Sequence, residues 1–172
     1  MGEPVEWALH CTTVVALVPD GGAIPASKLA EFHGVPAAYL AKALQSLSRA
    51  GIVESVPGRH GGYRLGRPPG EVTLLDIVEA VEGRDSSFRC TEIRKRGPAR
   101  VSPGLYSPVC AIAEAMYRAD EAWRAELRTT TVADLLQKLA ATVVVRSSAR
   151  HASSARYMAS AIAHTGDRKS VV

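Results

Sequence analysis

Apolar residues recur along this chain with two periods, and the switch between them predicts most of its elements. From Glu3 to about Val18, residues Val5, Leu9, Val14 and Leu17 form the apolar side of a helix that Pro19-Asp20-Gly21-Gly22 ends. Ser27 reads as the N-cap of a second helix carrying Leu29, Ala30 and Phe32 as far as Gly34. Pro36 stands where a first-turn proline opens a third helix running to about Arg49, with Gly51 as its C′ residue. On that third helix Leu40, Leu44 and Leu47 share one face, while Ala38, Lys42, Gln45 and Arg49 take the other. Ile52 to Val56 then reads as a strand, Pro57 to Gly62 as a turn, and Tyr63-Arg64-Leu65 as the returning strand.

After a loop from Gly66 to Gly70, Thr73 to Glu82 reads as a short helix with Leu74, Ile77, Val78 and Val81 on one side, stopped by Gly83. Residues 84–108 have no clear period and hold six basic side chains, Arg84, Arg89, Arg94, Lys95, Arg96 and Arg100. A long helix is expected from about Val109 to Thr129 and a shorter one from Val132 to about Val145. The chain after Arg146 is rich in Ser, Ala and Arg, and is expected to be disordered or partly helical. The fold class is therefore mainly α with a small β-wing: a winged helix-turn-helix over residues 1–83, a loop at 84–108, long helices at 109–145 and a tail at 146–172.

Composition narrows the function. Of the 172 residues 47% are apolar but only 5% aromatic, so the core must be built from Leu, Val, Ile and Ala. A net charge of +4 favours contact with phosphate. The acidic start lacks the pattern of a secretory signal, and no stretch approaches the roughly 18 apolar residues of a membrane span, so a cytoplasmic protein without a membrane partner is expected. Three cysteines, Cys11, Cys90 and Cys110, suit metal or redox use better than a disulfide framework. No phosphate-binding glycine loop or nucleophile elbow is present, which counts against an enzyme.

Two helices joined by a glycine turn and followed by a hairpin have the layout of a DNA-reading head. Ala37, Ala38 and Tyr39 would let the third helix enter a major groove closely, with Tyr39 and Lys42 reaching phosphate or base edges and Ser27 supporting from the preceding helix. At the hairpin tip Arg59, His60 and Gly61 combine a flexible backbone with groups able to grip phosphate or a minor groove. A winged helix that docks on another protein is the alternative for this surface.

The run from Val35-Pro36-Ala37-Ala38-Tyr39-Leu40 to Leu47, then Gly51-Ile52-Val53 and Gly58-x-x-Gly61-Gly62-Tyr63-x-Leu65, resembles the IscR/NsrR family of winged-helix regulators. Val72 to Gly83 resembles the helix that follows the wing there, and the likeness extends over residues 3 to 140. Pro57 replaces the arginine that many members place before the wing glycine, with Arg59 available to substitute. The resemblance implies a homodimer on palindromic operator DNA, with 84–108 as a cluster-binding loop and the long helix as the dimer interface.

Of the three cysteines that sensing members carry in that loop, Cys90 and Cys110 match the first and last, and the middle one is absent. Glu6 and His10 stand at i and i+4 on the first helix, so both leave one face. The Glu6-Trp7-Ala8-Leu9-His10 run is similar to the RsrR-type branch, which implies a 2Fe–2S cluster held by Cys90, Cys110, Glu6 and His10 across two chains. Trp7, beside a ligand, is then a candidate relay. Zinc on the same residues, a thiol switch without a metal, and a cluster shared through four cysteines are the alternatives. A zinc enzyme with the glutamate as base is a more distant one. Cys11 lies about 100° round the helix from His10 and is read as packing.

Overall fold

Leu40, Leu44 and Leu47 are fully buried, and the amphipathic helix that carries them organises the rest of the fold. The computed structural model describes residues 2–149 apart from 20, 21, 60, 87, 97–103, 105 and 106, with the backbone alone for 142–149. Six helices and one hairpin follow in order among the described residues: α1 Glu3–Ala16, α2 Ala26–His33, α3 Ala37–Arg49, β1 Val53–Val56, β2 Gly62–Leu65, α4 Leu74–Glu82, α5 Ala111–Thr129 and α6 Val132–Ala149. This is the expected class, mostly helical with a two-stranded antiparallel wing in which Val53 pairs with Leu65 and Val56 with Gly62.

α1 is the hub. Its Ala8, Cys11, Val14 and Val15 meet Leu29 and Ala30 of α2, the α3 leucines and Ile77 of α4 in one core that also takes in Ile52, Val53, Val72 and Val132. Burying each such Leu, Ile or Val contributes about 1.5–3 kcal/mol relative to exposure. Within that apolar setting Thr12 stays satisfied because its hydroxyl donates to the Ala8 carbonyl oxygen at 2.8 Å. The exit from α3 is fixed by Gly51 at φ 67°, whose N–H donates to Ser48 while Ile52 N–H donates to Leu47. Thr73 and Asp76 cap α4 reciprocally, and Thr131 and Asp134 do the same for α6.

Several boundaries differ from the sequence expectation, each for a local reason. Pro25, with its φ of −61°, is the N-cap of α2, so Ser27 lies inside the helix and caps nothing. Pro36 is likewise an N-cap and not a first-turn residue. α1 ends at Ala16, ahead of Val18. Phe32, expected on the apolar side, is 44% exposed because the core side of the short α2 is filled by Leu29 and Ala30. The strands begin at Val53 and Gly62, one residue from the expected positions. α5 begins at Ala111, with Cys110 as its N-cap, two residues after the expected Val109. α6 continues to Ala149, past the expected end at Val145 and into the segment read as disordered or partly helical; the remainder of that tail lies outside the described residues.

The wing's glycine pair has a steric reason. Ile24 and Tyr63 exchange two backbone hydrogen bonds of 2.9 Å, which ties the hairpin to the segment ahead of α2. That approach leaves no room at Gly62, where a Cβ would sit 2.3 Å from the Ile24 carbonyl oxygen, and the hairpin's own turn leaves none at Gly61, where it would meet the Val56 oxygen at 2.1 Å. Gly62→Ala should therefore cost about 1–3 kcal/mol by overpacking, whereas Gly70→Ala, with open space around it, should stay within about 0.5 kcal/mol of wild type. Chemical denaturation midpoints measure both.

Candidate DNA-reading surface and sensor site

The outer face of α3 is polar and free of the core: Ala37, Ala38, Tyr39, Lys42, Gln45 and Arg49 are all exposed, Tyr39 to 58%. Two small residues followed by Tyr39 and Lys42 give a helix start that can approach a duplex backbone closely. Ser27 is exposed on α2, and Arg59 is exposed at the hairpin tip. Gly61 is half-buried and donates its N–H to Gly58 O at 3.0 Å, while His60 lies outside the described residues. Three other cations of the head are already paired: Lys28 with Glu31 at 2.7 Å, Arg64 with Glu54 at 2.9 Å and Arg67 with Asp76 at 3.7 Å. That leaves Lys42, Arg49 and Arg59 as the more available positive groups.

Cys90 and Cys110, twenty positions apart in the chain, are brought close enough for their thiols to interact. Cys110 sits at the N-terminus of α5, where the N–H groups of Ala113 and Ile112 hold its thiol below the ordinary range. The Arg94 charge and the Cys90 thiol act in the same direction, against partial burial. The loop is braced from both sides. Cys90 N–H lies 3.5 Å from the Tyr117 hydroxyl, the rings of Phe88 and Tyr117 meet edge to face at 5.5 Å, and Arg94 donates to the Ser107 carbonyl oxygen at 2.9 Å.

Glu92 closes this arrangement in the left-handed region at φ 53°, a conformation that costs a non-glycine residue about 1–3 kcal/mol. Its carboxylate is held below the usual range, first by a hydrogen bond from Lys95 and then by one from Arg94, and it lies 3.8 Å from Cys90 Sγ. The basic run at 94–96 has two readings from the sequence, a solvated loop or a group that offsets cluster charge or touches DNA flanks. Arg94 donates to Glu92 at 3.1 Å and its charge acts on both thiols.

Glu6 and His10 are exposed on α1, opposite its core face, and with Glu3, Trp7 and His33 they line a cleft of about 430 Å³. Trp7 is half-buried against the core and donates its indole N–H to Glu3 at 3.2 Å. His33, in the last turn of α2, was not singled out from the sequence. Its ring meets Trp7 at 5.6 Å, His10 at 5.9 Å and Phe32 at 5.0 Å, all edge to face. Burial first, and the neighbouring His10 second, lower its pKa, and its Nε2 is buried without a protein partner. Among the described residues of one chain no three His, Cys, Asp or Glu side chains come together in a metal-sized group, so the Cys90–Cys110 pair and the Glu6–His10 pair are separate clusters.

Cys11 is fully buried and its thiol is pushed up to about 11 by that burial, as suits a packing residue. In the metal-free protein near neutral pH, an alkylating reagent should modify Cys110 well before Cys11, which should react only on unfolding. Peptide mass spectrometry after timed quenching reads the order, and labelling of Cys11 in the folded chain at the rate of Cys110 would contradict it.

Comparison with known proteins agrees with this architecture. The family described as Rrf2, iron-dependent transcriptional regulator, matches residues 1–138. CymR, the global cysteine regulator of B. subtilis, superposes with a TM-score of 0.65 at 25% identity, over 80% of this chain and 96% of that one. The oxidized form of CymR from Staphylococcus aureus matches with a TM-score of 0.59 at 25% identity, over 78% of this chain and 93% of that one. IscR of T. potens shares the fold, with a TM-score of 0.63 at 21% identity over 91% of this chain and 95% of that one. With the family covering the head, the cysteine loop and the long helix, this chain belongs to the Rrf2 family of winged-helix transcription regulators.

Proposed function

We propose that this regulator is a homodimer that binds palindromic operators through Ala37, Ala38, Tyr39 and Lys42 in the major groove, with Ser27, Arg59, His60 and Gly61 on the flanking backbone. It senses redox or iron–sulfur status through a 2Fe–2S cluster held by Cys90 and Cys110 of one subunit and by Glu6 and His10 of the other. The observation that carries this reading is the division of donors into two incomplete pairs, which one chain does not bring together. A second copy completes both sites at once. Dimerisation through α5 is supported by its apolar outer side, where Ile112 is 71% exposed and Met116 and Tyr117 are also exposed. In this reading residues 1–83 read DNA, 84–108 hold the cluster and 109–145 make the dimer.

The residues present fit the group. A thiolate-favouring cysteine at a helix start, a second thiol against it and an exposed carboxylate and imidazole supply sulfur, oxygen and nitrogen donors. When bound, such a cluster supplies a one-electron change of charge. Around it, Arg94 offsets negative charge, and Glu92 orders the loop that presents Cys90. Trp7 adjoins Glu6 and touches His33, at the end of the helix that precedes the reading helix. A change at Glu6 or His10 therefore has a short packed route into the head, acting to the extent that the two states favour different head positions.

A second reading is a metal-free thiol switch, favoured by the closeness of Cys90 and Cys110. Anaerobic purification followed by a visible spectrum with iron and sulfide assays separates the two. The cluster reading expects colour, iron and sulfide in equal amounts, and loss of colour in Cys90→Ala. A colourless protein free of both would leave the thiol switch standing. Trp7→Ala should keep the colour while reducing the difference in operator affinity between oxidised and reduced protein. Binding to operator should weaken steeply with salt, and a slope near zero would favour a protein-docking head instead.

A further inference from the structure

α5 is attached to the DNA-reading head at two places set apart along its length. The first is made of backbone. Leu74 N–H donates to Thr130 O and Val132 N–H donates to Val72 O, both at 2.9 Å, so the α5–α6 corner is fixed to the residues that open α4. The second is Arg124, six residues back along α5 and so about 9 Å from that corner. Its Nη2 donates to Glu79 Oε1 of α4 at 2.5 Å and to the carbonyl oxygen of Arg84 at 3.0 Å, just beyond the end of α4. The other Glu79 oxygen pairs with Arg84 Nε at 3.3 Å.

This clamp is unlike the other ion pairs of the head. The side chains of Arg124 and Glu79 are 12% and 20% exposed, so their pairing is far less screened than that of the surface pairs. The two N–H groups on that one planar nitrogen point to different acceptors, the Glu79 carboxylate and the Arg84 carbonyl oxygen, and so constrain direction, which apolar contact alone does not. Apolar contact along α5 is modest: among its described residues Ala113 is buried, while Trp123 and Leu127 are half-buried beside Arg124.

We infer that Arg124 is a positioning residue that fixes the angle between α5 and the head, and thereby sets the half-site spacing this protein accepts in DNA. The inference rests on the reading above, in which α5 pairs with a second copy. One backbone corner would act as a hinge; the corner plus the clamp define a line. α5 has 19 residues and spans about 28 Å, so a swing of about 10° about the corner moves its far end by about 5 Å. That exceeds the roughly 3.4 Å between base pairs. α4 packs directly on α3, so the angle reaches the reading helix without an intervening loop.

The test uses the full-length protein. A random-sequence duplex pool is selected with the wild type, and the recovered palindrome is resynthesised with one base pair removed from or added between its half-sites. Wild type should prefer its own spacing by about tenfold or more, whereas Arg124→Met should prefer it by less than about threefold while keeping its affinity for a single half-site. Arg124→Lys, which keeps the charge near Glu79 but not the fixed planar directions of the two Nη2 N–H groups, should fall between them. Glu79→Gln should shift in the direction of Arg124→Met, and it decides the matter if thermal melting shows Arg124→Met to be unfolded. Variants that weaken every duplex equally, or that keep the wild-type ratio, overturn the inference. A pool from which the wild type recovers no palindrome overturns instead the DNA-reading dimer on which it rests.

Discussion

The packing of the α3 leucines against α1 is the contact on which the rest of the molecule depends. Leu40, Leu44 and Leu47 are removed from water completely, and the same helix turns Ala38, Lys42, Gln45 and Arg49 outward. An amphipathic helix of this length would not hold its orientation in isolation. Its polar face is presented to a ligand because its apolar face is locked to α1. Anything that moves α1 relative to α3 must therefore disturb a close-packed core, and close packing favours discrete rearrangement over gradual bending.

The candidate sensor residues lie on that same α1. Glu6 and His10 leave its solvent side while Ala8, Cys11 and Val15 anchor its inner side. The helix is thus a rigid element with a donor pair on one face and the reading head on the other. His33 adds a lateral connection, since its ring touches both Trp7 and His10 from the end of α2. The cysteine pair lies elsewhere, Cys90 in the loop after α4 and Cys110 at the start of α5, and that helix is held to the head through the α5–α6 corner and Arg124.

What could be read from the sequence follows from the range of the interactions involved. The reading helix was legible because burial on one face imposes a 3.6-residue period, and the wing because its glycines stand where a backbone crosses closely. Ser27 was misplaced because a proline two residues earlier had already set the extended conformation that an N-cap needs. The pairing of Cys90 with Cys110 rested on resemblance, since a separation of twenty residues says nothing about distance. His33 and Arg124 were missed for one reason. Each is defined by what other elements place beside it, and on its own each resembles an ordinary surface residue.

The account turns on donors from two chains meeting in one site, and complementation measures that directly. One variant carries Cys90→Ala and Cys110→Ala, the other Glu6→Ala and His10→Ala, and the two are co-expressed with different tags and purified through both. Each homodimer should be colourless, while the mixed dimer should regain one intact site and about half the wild-type visible absorbance and iron, because one of its two sites has all four donors. A colourless mixed dimer, or full cluster content in the homodimer lacking Glu6 and His10, would contradict the shared site.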